Sequence, residues 1–241
     1  MVEIKTAVVL CGGKGTRLRP LTYEIPKSLI PVQGKAVLEH VVDLFKKYRI
    51  TNVILCVGHM KEQIKNYMGD GSKFGVKITY VEEDEPLGTA GPLKLMKEQG
   101  KLPNEPFIYC NGDELKELDL FAMLKLHKQN NAIATIALTS VDDPRNYGVA
   151  SLDGNRILKF IEKPEKPPSN RINSGLYILD PSIINFISEG FCMIEKDVFP
   201  LIANQGRLFG FLFDGQWFDT GTFERYEKAI KEWKPISIKS E

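Results

Sequence analysis

The sequence predicts an α/β fold around a mixed, mostly parallel β-sheet, and two observations carry that prediction. Short apolar runs, beginning with Thr6–Leu10 and Asn52–Val57, alternate with stretches of helical periodicity. This succession is typical of right-handed parallel strand–helix–strand units. A glycine-rich segment follows the first run directly. It therefore stands at the carboxyl end of a strand, the edge of an open α/β sheet at which ligands bind.

The elements of the first part follow in order from this pattern. Apolar residues recur at helical spacing over residues 37–48 and predict an amphipathic helix, while residues 24–31 are expected to be irregular. We expect Thr89 to be the N-cap of a later helix. The remaining predicted elements are a helix at 61–68, a strand at 76–81, a strand at 107–110, a helix at 120–130 and a strand at 132–138.

The pattern changes after Ser140. Residues 147–152 and 156–162 predict a β-hairpin, because an Asp-Gly-Asn turn separates two runs of strand character. The rest comprises a proline-rich loop at 163–169, a strand at 171–179, helical pieces at 182–187 and 198–204, a strand at 208–213 and a closing helix at 222–233. We expect residues 1–241 to form a single domain.

Composition excludes several classes of function. Lys and Arg number 32 against 31 Asp and Glu, so the net charge of +1 leaves no basic field for nucleic acid or an anionic membrane. No stretch approaches the roughly 20 apolar residues that span a bilayer, and the N-terminus lacks a signal-peptide pattern. The cysteines form no Cys-x-x-Cys pair, which favours buried reduced thiols. We expect a soluble, cytoplasmic protein with no nucleic-acid or membrane partner.

Residues 10–27 are the most informative stretch, Leu-Cys-Gly-Gly-Lys-Gly-Thr-Arg-Leu-Arg-Pro-Leu-Thr-Tyr-Glu-Ile-Pro-Lys. The glycines allow a tight turn and close backbone approach. Exposed N–H groups together with Lys14 and Arg17 would then form a cradle for phosphate. A Walker loop does not fit, and the dinucleotide fingerprint requires a glycine where Leu18 stands. An ordinary glycine-rich turn is the alternative at this point.

Two aspartates stand at strand ends far apart in the sequence. Asp113 follows the apolar strand at 107–110, and Asp219 lies between a Trp-Phe pair and a Thr-Gly turn. Carboxylates at the ligand edge of a sheet can hold Mg²⁺ together with substrate phosphates. Each aspartate could equally cap a turn or a helix.

A charged pair, Glu162 and Lys163, ends a further predicted strand. The lysine could meet an anionic substrate and the glutamate could accept hydrogen bonds from hydroxyl groups, although a solvated surface pair is the alternative. Tyr147 and Gly148 would allow close approach of a sugar ring, or simply form a structural turn. The three histidines show no zinc-binding spacing, and the absence of Gly-x-Ser-x-Gly gives a serine hydrolase no support.

These motifs, in their order along nearly the whole chain, resemble the sugar-1-phosphate nucleotidyltransferases, or NDP-sugar pyrophosphorylases. The catalytic domains of mannose-1-phosphate guanylyltransferase-like members are the most similar. The matching segments are 12–27, 87–92, 111–113, 147–149, 162–164, 173–175 and 217–222. The resemblance implies a Rossmann-like three-layer α/β/α nucleotidyltransferase domain, with residues 1–140 mainly binding nucleotide and residues 141–241 mainly binding sugar phosphate. No C-terminal β-helix domain is expected, since the chain stops soon after Thr222.

The resemblance also implies roles for individual residues. Arg17 and Lys27 would act on the NTP phosphates, Lys163 would bind the sugar phosphate, and Asp113 and Asp219 would hold Mg²⁺. The other expected nucleotide-binding residues are Leu10, Gly12, Gly13, Gly15, Thr16, Glu83, Gly88 and Thr89. The other expected sugar-phosphate residues are Asn111, Tyr147, Gly148, Glu162 and Asn173.

The implied reaction is in-line attack of a sugar-1-phosphate oxygen on the α-phosphorus of an NTP, which expels pyrophosphate. GTP is favoured because guanine presents two neighbouring donors that a carboxylate can accept, and acidic residues alone occupy 82–85. Mannose-1-phosphate is the favoured acceptor. The alternatives are a glucose-1-phosphate thymidylyl- or uridylyltransferase, a heptose-1-phosphate guanylyltransferase, an inactive regulatory relative and, less well matched, a glycosyltransferase. A homodimer is left open.

Overall fold

The structure, a computed structural model, describes residues 4–238. Its strands are β1 Thr6–Leu10, β2 Pro31–Val32, β3 Lys35–Ala36, β4 Asn52–Val57, β5 Lys77–Glu82, β6 Phe107–Asn111, β7 Glu114–Lys116, β8 Ala134–Ser140, β9 Gly148–Asp153, β10 Arg156–Glu162, β11 Arg171–Leu179, β12 Leu208–Leu212 and β13 Trp217–Asp219. Its α-helices are α1 Val37–Lys47, α2 Lys61–Met68, α3 Gly91–Glu98, α4 Leu120–Gln129, α5 Phe199–Asn204 and α6 Phe223–Glu232.

These elements form two units, each assembled from separate segments of the chain. The first unit contains Lys5–Pro86, Cys110–Leu118 and residues 215–238. The second unit contains Ile4, Leu87–Tyr109 and Asp119–Asp214. The expected division into nucleotide and sugar-phosphate parts concerns ligands and stays a prediction.

In the first unit, β5, β4 and β1 lie side by side in that order and run parallel. Val8 and Val9 of β1 are fully buried, as the continuous apolar run predicted, because a parallel strand is covered on both faces. Leu10 pairs with Cys56, which in turn pairs with Val81. The three carboxyl ends therefore share one edge, and the segments that follow them start there.

A short antiparallel ribbon of β7 and β13 also belongs to the first unit, with Glu114 opposite Asp219. The helix α6 follows β13, and its N-cap Thr222 accepts a hydrogen bond from the backbone N–H of Arg225 at 3.4 Å. Beyond this helix, Trp233 is buried and donates to Nδ1 of His40 at 3.2 Å. This contact anchors the end of α6 to α1.

The second unit contains strands in the order β11, β8, β12, β10 and β9. β8 and β12 are parallel, whereas the other pairings within this set are antiparallel. The predicted hairpin is confirmed as β9 and β10. The fold class is therefore confirmed as α/β with a mixed sheet, in which parallel pairing characterises the first unit and antiparallel pairing predominates in the second.

Some local predictions were wrong. Helix α3 begins at Gly91 with Ala90 at its N-cap, and the Thr89 hydroxyl donates instead to the side chain of Glu195. The segment expected to be irregular includes a 3₁₀ turn at Lys27–Leu29. The short strands β2, β3 and β7 were missed, because two or three residues are too few for a period-2 pattern to emerge.

The predicted burial of the cysteines is confirmed, since Cys11, Cys56, Cys110 and Cys192 are all buried and form no disulfide. Burial raises the pKa of Cys110 to about 12, which keeps this thiol protonated and unreactive at neutral pH. Among residues 4–238, no helix has the length and apolar character needed to cross a membrane.

Acid should destabilise the protein through His127. Burial lowers the pKa of this side chain, which is hydrogen-bonded to Thr135, from 6.5 to about 4. Because the folded-state pKa is the lower one, the stabilisation is complete above pH 6.5 and is lost as the pH falls toward 4. Denaturant unfolding from pH 7 to 4 should show a loss about 3 kcal/mol larger in the wild type than in His127→Gln.

The control for this titration is His59→Gln, on the segment after β4. This variant reports what a histidine-to-glutamine change outside α4 does by itself. An unchanged pH dependence in His127→Gln would contradict the assignment.

Candidate active site

The glycine-rich segment after β1 packs against the segment that contains Lys27. Gly15 has φ +59°, and a Cβ there would lie 3.0 Å from Thr22 Cγ2 and 3.2 Å from Lys27 Cβ. The Thr22 hydroxyl donates to the Gly15 carbonyl at 2.7 Å. Gly13 is open, since a Cβ there would meet no heavy atom of a neighbouring residue within 4 Å. Residues 10–15 therefore form a fixed turn with an exposed middle, as a phosphate-binding loop requires.

Lys27 and Asp113 form the central ion pair of the first unit, with Nζ 2.5 Å from Oδ2. The lysine side chain is only 12% exposed. Burial acts to lower the pKa of Lys27, but the charge and hydrogen bond of Asp113 outweigh it and raise the pKa above 10.5. Burial likewise acts to raise the pKa of Asp113, and Lys27 outweighs it, so that pKa lies below 3.8. Both groups are therefore charged at neutral pH.

Asp219 lies beside this pair because of the β7–β13 ribbon. Its Oδ2 accepts from Arg225 Nη1 at 2.5 Å, and its Oδ1 accepts from the Gly221 N–H at 2.6 Å. The Thr220 hydroxyl donates to the Asp113 carbonyl at 2.7 Å. The two aspartates, far apart in sequence, thus lie at the same end of the ribbon, Asp219 within β13 and Asp113 directly before β7.

Arg17 reaches the same ribbon from the glycine-rich segment. A Cβ at Gly221 would lie 2.7 Å from Asp219 Oδ1 and 3.1 Å from Arg17 Nη2. Arg17 is exposed, on the 3₁₀ turn Thr16–Leu18. The first unit therefore presents an exposed guanidinium next to a carboxylate and close to an open glycine segment.

The two aspartates provide a donor set that suits a hard cation. Their oxygens are of the type that Mg²⁺ prefers, and ionised Asp113 keeps a third of its side chain exposed. Within residues 4–238, no group of three or more His, Cys, Asp and Glu side chains is arranged to hold a metal. The site thus fits an ion that takes one or two carboxylates and completes its shell with substrate phosphates and water.

Glu114 supports the ribbon from inside. Its Oε1 accepts from Asn111 Nδ2 and its Oε2 from Trp217 Nε1, each at 3.0 Å, and Lys116 Nζ lies 3.6 Å away. The sequence analysis assigned no role to Glu114, Lys116 or Arg225. Arg225 pairs with Asp219 and Lys116 lies near Glu114, and no spacing in the sequence predicts these cations.

Glu83 meets the glycine-rich segment at the shared strand edge. A Cβ at Gly12 would lie 3.2 Å from Glu83 Oε1, so glycine leaves room for this carboxylate. The Glu83 N–H donates to the Val57 carbonyl at 2.8 Å, and the His59 N–H donates to the Gly12 carbonyl at 3.3 Å. The structure thus brings Glu83 and Gly12 together, two residues predicted to bind nucleotide.

In the second unit, the base of the β9–β10 hairpin brings together four predicted sugar-phosphate residues. Gly148 pairs with Glu162, and a Cβ at Gly148 would lie 2.9 Å from Glu162 Oε2. The Lys163 N–H donates to the Tyr147 carbonyl at 3.0 Å. Lys163 has φ +49°, a left-handed conformation that costs a non-glycine residue free energy and occurs preferentially at functional sites. Its exposed ammonium lies 3.5 Å from Glu162 Oε1.

The predicted residues Gly88, Thr89 and Asn173 also lie in the second unit. Gly88 has φ +77°, and a Cβ there would overlap the Cys192 backbone. The Asn173 side chain donates to the Tyr177 hydroxyl at 2.8 Å. Glu195, which sequence reasoning missed, accepts from both the Thr89 and Tyr177 hydroxyls.

A mixed α/β sheet that presents an open glycine-rich segment, a charged Lys–Asp pair and a second aspartate is an arrangement that suits phosphate binding. The chain belongs to the nucleotidyl transferase family, whose model matches residues 6–234. The predicted family resemblance is thereby confirmed.

The chain is also similar to individual members of this family. The chain is 40% identical over 218 residues to mannose-1-phosphate guanyltransferase beta-B from Xenopus laevis, a match that covers 89% of this chain and 61% of the relative. It therefore spans about three fifths of the length of such curated relatives.

Two solved structures share the fold. One is a Bacillus anthracis protein named as a glucose-1-phosphate thymidylyltransferase, with TM-score 0.85, 29% identity and coverage of 95% of this chain and 94% of that one. The other is HddC from Yersinia pseudotuberculosis in complex with GMP-PN, with TM-score 0.80, 28% identity and coverage of 95% and 99%.

Gly88→Ala should destabilise the second unit more than Gly190→Ala. Both glycines have nearly the same left-handed φ, +77° and +76°, so the backbone strain of about 1–2 kcal/mol is common to the pair. Only at Gly88 does the added Cβ meet backbone, that of Cys192, which should cost about 1–3 kcal/mol more. Denaturant unfolding of both variants measures the difference, and equal losses would contradict the close contact.

Proposed function

We propose that this chain catalyses the transfer of a guanylyl group from GTP to mannose-1-phosphate, giving GDP-mannose and pyrophosphate with Mg²⁺ as cofactor. The observation that carries the proposal is the charged Lys27–Asp113 pair, with Asp219 beside it and Arg17 reaching the same ribbon. Family membership supports the reaction type, and the name of the Xenopus laevis relative supports the substrates.

The first unit supplies the groups that act on the triphosphate. The exposed N–H groups around Gly13 and the guanidinium of Arg17 bind the phosphates that leave as pyrophosphate. Lys27 is held with its ammonium charged and nearly buried. A fixed positive charge in a site of low dielectric stabilises negative charge that develops at the α-phosphoryl group. These groups therefore favour the transition state without accepting or giving a proton.

Asp113 and Asp219 would hold the magnesium ion. When bound, Mg²⁺ neutralises phosphate charge and polarises the phosphorus centre. Lys27 pairs with Asp113 and keeps the pKa of this carboxyl below its ordinary range, and Arg225 pairs with Asp219. Lys27 and Arg225 would therefore share these carboxylates with a bound metal ion.

The second unit supplies the groups for the sugar phosphate. The exposed Lys163 ammonium binds the phosphate. Glu162 accepts hydrogen bonds from sugar hydroxyls, and the Asn173 amide can both accept and donate them. Gly148 allows close packing beside the sugar-phosphate residues, since a side chain at this position would overlap the Phe160 ring and the Glu162 carboxylate. The strained left-handed backbone of Lys163 is explained by this function.

A general base is dispensable in this mechanism. The attacking phosphate oxygen is already an anion, so alignment and charge neutralisation remain as the main tasks, and alignment alone can contribute about 7–11 kcal/mol. His40 and His127 are buried, with hydrogen bonds to Val32 and Thr135. Both histidines are thereby explained as structural residues.

Glu83 supports the choice of guanine. Guanine presents N1–H and N2–H₂ side by side, and one carboxylate can accept both hydrogen bonds. Glu83 lies against Gly12 at the strand edge, while neighbouring Glu82 and Asp84 pair with Lys61. The Bacillus anthracis neighbour is named for glucose-1-phosphate and thymidylyl transfer, which makes that reaction the second candidate.

A substrate panel tests the proposal. The protein is incubated with Mg²⁺, one of the four NTPs or dTTP, and one of several sugar-1-phosphates, and pyrophosphate release is followed. GTP with mannose-1-phosphate should give the highest kcat/KM. Turnover with dTTP and glucose-1-phosphate instead would establish the second candidate, and no turnover with any pair would favour an inactive regulatory relative.

Asp113→Asn should lower kcat by about 10²–10³-fold, because the variant loses the negative charge that orders Lys27 and the metal ion. Steady-state kinetics at saturating Mg²⁺ measure the effect, and circular dichroism confirms folding. Asp119→Asn is the matched control: Asp119 caps α4, and asparagine caps equally well, so its kcat should stay within twofold. Full activity in Asp113→Asn would refute the metal assignment.

Glu83→Gln should shift the base preference. An amide offers one acceptor and one donor, which matches uracil or thymine better than the two donors of guanine. We expect kcat/KM for GTP to fall by about 10–100-fold while the value for UTP or dTTP holds or rises. Glu85→Gln, at an exposed position, should leave the ratio unchanged. An unaltered GTP preference in Glu83→Gln would show that other groups read the base.

A further inference from the structure

The second unit contains a buried carboxylate to which the proposed reaction gives no role. Glu195 is 8% exposed and lies in a π-helical turn, Ile194–Val198. Burial raises its pKa, and the nearby Glu162 carboxylate adds to that rise. A buried carboxylate costs free energy unless hydrogen bonds satisfy its oxygens. The hydrogen-bond partners of Glu195 therefore indicate the role of this carboxylate.

One carboxylate oxygen anchors the loop of Gly88 and Thr89. The Thr89 hydroxyl donates to Glu195 Oε2 at 2.5 Å and accepts from the Ile194 N–H at 2.9 Å. The Thr89 main chain is fixed as well, since its carbonyl accepts from the Tyr109 hydroxyl at 2.8 Å. The Ala90 N–H donates to the Cys192 carbonyl at 2.8 Å. The loop is thus held to the segment that carries Glu195.

The other carboxylate oxygen reaches Asn173 through one intermediate. The Tyr177 hydroxyl donates to Glu195 Oε1 at 3.4 Å and accepts from Asn173 Nδ2 at 2.8 Å. Asn173 Oδ1 accepts from the Gly175 N–H at 2.9 Å. These two bonds fix the orientation of the Asn173 amide, with Nδ2 toward Tyr177 and Oδ1 toward the Gly175 N–H. Tyr177 is itself fully buried and packs edge-on against Phe199. Its fixed ring therefore links the position of the Asn173 side chain to that of Glu195.

We propose that Glu195 is a positioning residue that sets two substrate-binding elements at once, the Thr89 loop and the Asn173 side chain. This inference rests on the proposed function, in which Thr89 belongs to the nucleotide side and Asn173 to the sugar side. Packing alone does not require a carboxylate here, because an apolar side chain of similar volume avoids the cost of desolvation. The carboxylate is explained by its ability to accept two hydrogen bonds in fixed directions.

Three substitutions separate the two branches of this network. Tyr177→Phe removes only the hydroxyl that links Glu195 to Asn173, and should raise KM for mannose-1-phosphate roughly tenfold with KM for GTP within twofold. Thr89→Val removes the other link and should raise KM for GTP in the same way. Glu195→Gln keeps the shape but replaces one acceptor oxygen by a donor, so both KM values should rise.

Thr135→Val is the matched control, because it also removes a buried hydroxyl hydrogen bond in the second unit, the one to His127. Both of its KM values should stay within twofold of wild type. A Glu195→Gln variant that lowers Tm but leaves both KM values unchanged would reduce Glu195 to a structural role and overturn the proposal. Tyr177→Phe raising both KM values equally would overturn it too.

Amide hydrogen–deuterium exchange without substrates separates this inference from the proposed reaction. Glu195→Gln should speed exchange in residues 87–93 and in residues 171–177, with residues 120–129 of α4 unchanged. If the wild type turns over no substrate pair but this pattern appears, only the proposed function fails. Exchange that rises uniformly or in neither segment overturns the positioning role.

Discussion

The ion pair of Lys27 and Asp113 is the interaction on which the first unit depends. An ionised carboxylate beside a buried strand end costs several kcal/mol if it stays unpaired, and Lys27 offsets that cost at 2.5 Å. The same contact keeps the lysine charged despite its burial. Arg225 pairs with Asp219 in a similar way. Lys116 lies near Glu114, but burial and the charges of Asp113 and Asp219 outweigh it and raise the pKa of Glu114. Charges that a phosphate substrate would need are therefore already held in place by the requirements of folding.

Several glycines near the predicted site residues leave space for neighbouring side chains. Gly12 leaves room for the Glu83 carboxylate, Gly221 for Asp219 and Arg17, and Gly148 for the Phe160 ring and Glu162. In each case a side chain at the glycine would displace a charged group to which we assign a role in binding substrate or metal. The glycines alone indicate only turns, and they acquire a functional meaning through the side chains that occupy the space beside them.

The sequence predicted the fold wherever a pattern was long enough to repeat. Parallel strands such as β1, the helix α2 and the β9–β10 hairpin all produce a periodic or turn signal over five residues or more. The ribbon of β7 and β13 does not, although it sets the geometry of Asp113 and Asp219. Glu195 could not be found either: its importance comes from contacts with Thr89 and Tyr177, 106 and 18 positions away in sequence, and no local spacing encodes such contacts.

In the proposed reaction, a phosphate oxygen of the sugar substrate attacks the α-phosphorus of GTP. Label partition tests this step most directly, with GTP carrying ³²P at the α-position in one reaction and at the γ-position in another, both with mannose-1-phosphate and Mg²⁺. We expect the α-label to appear in GDP-mannose and the γ-label to appear in pyrophosphate. Label from the γ-position in a sugar product, or α-label in free GMP alone, would contradict the proposed reaction.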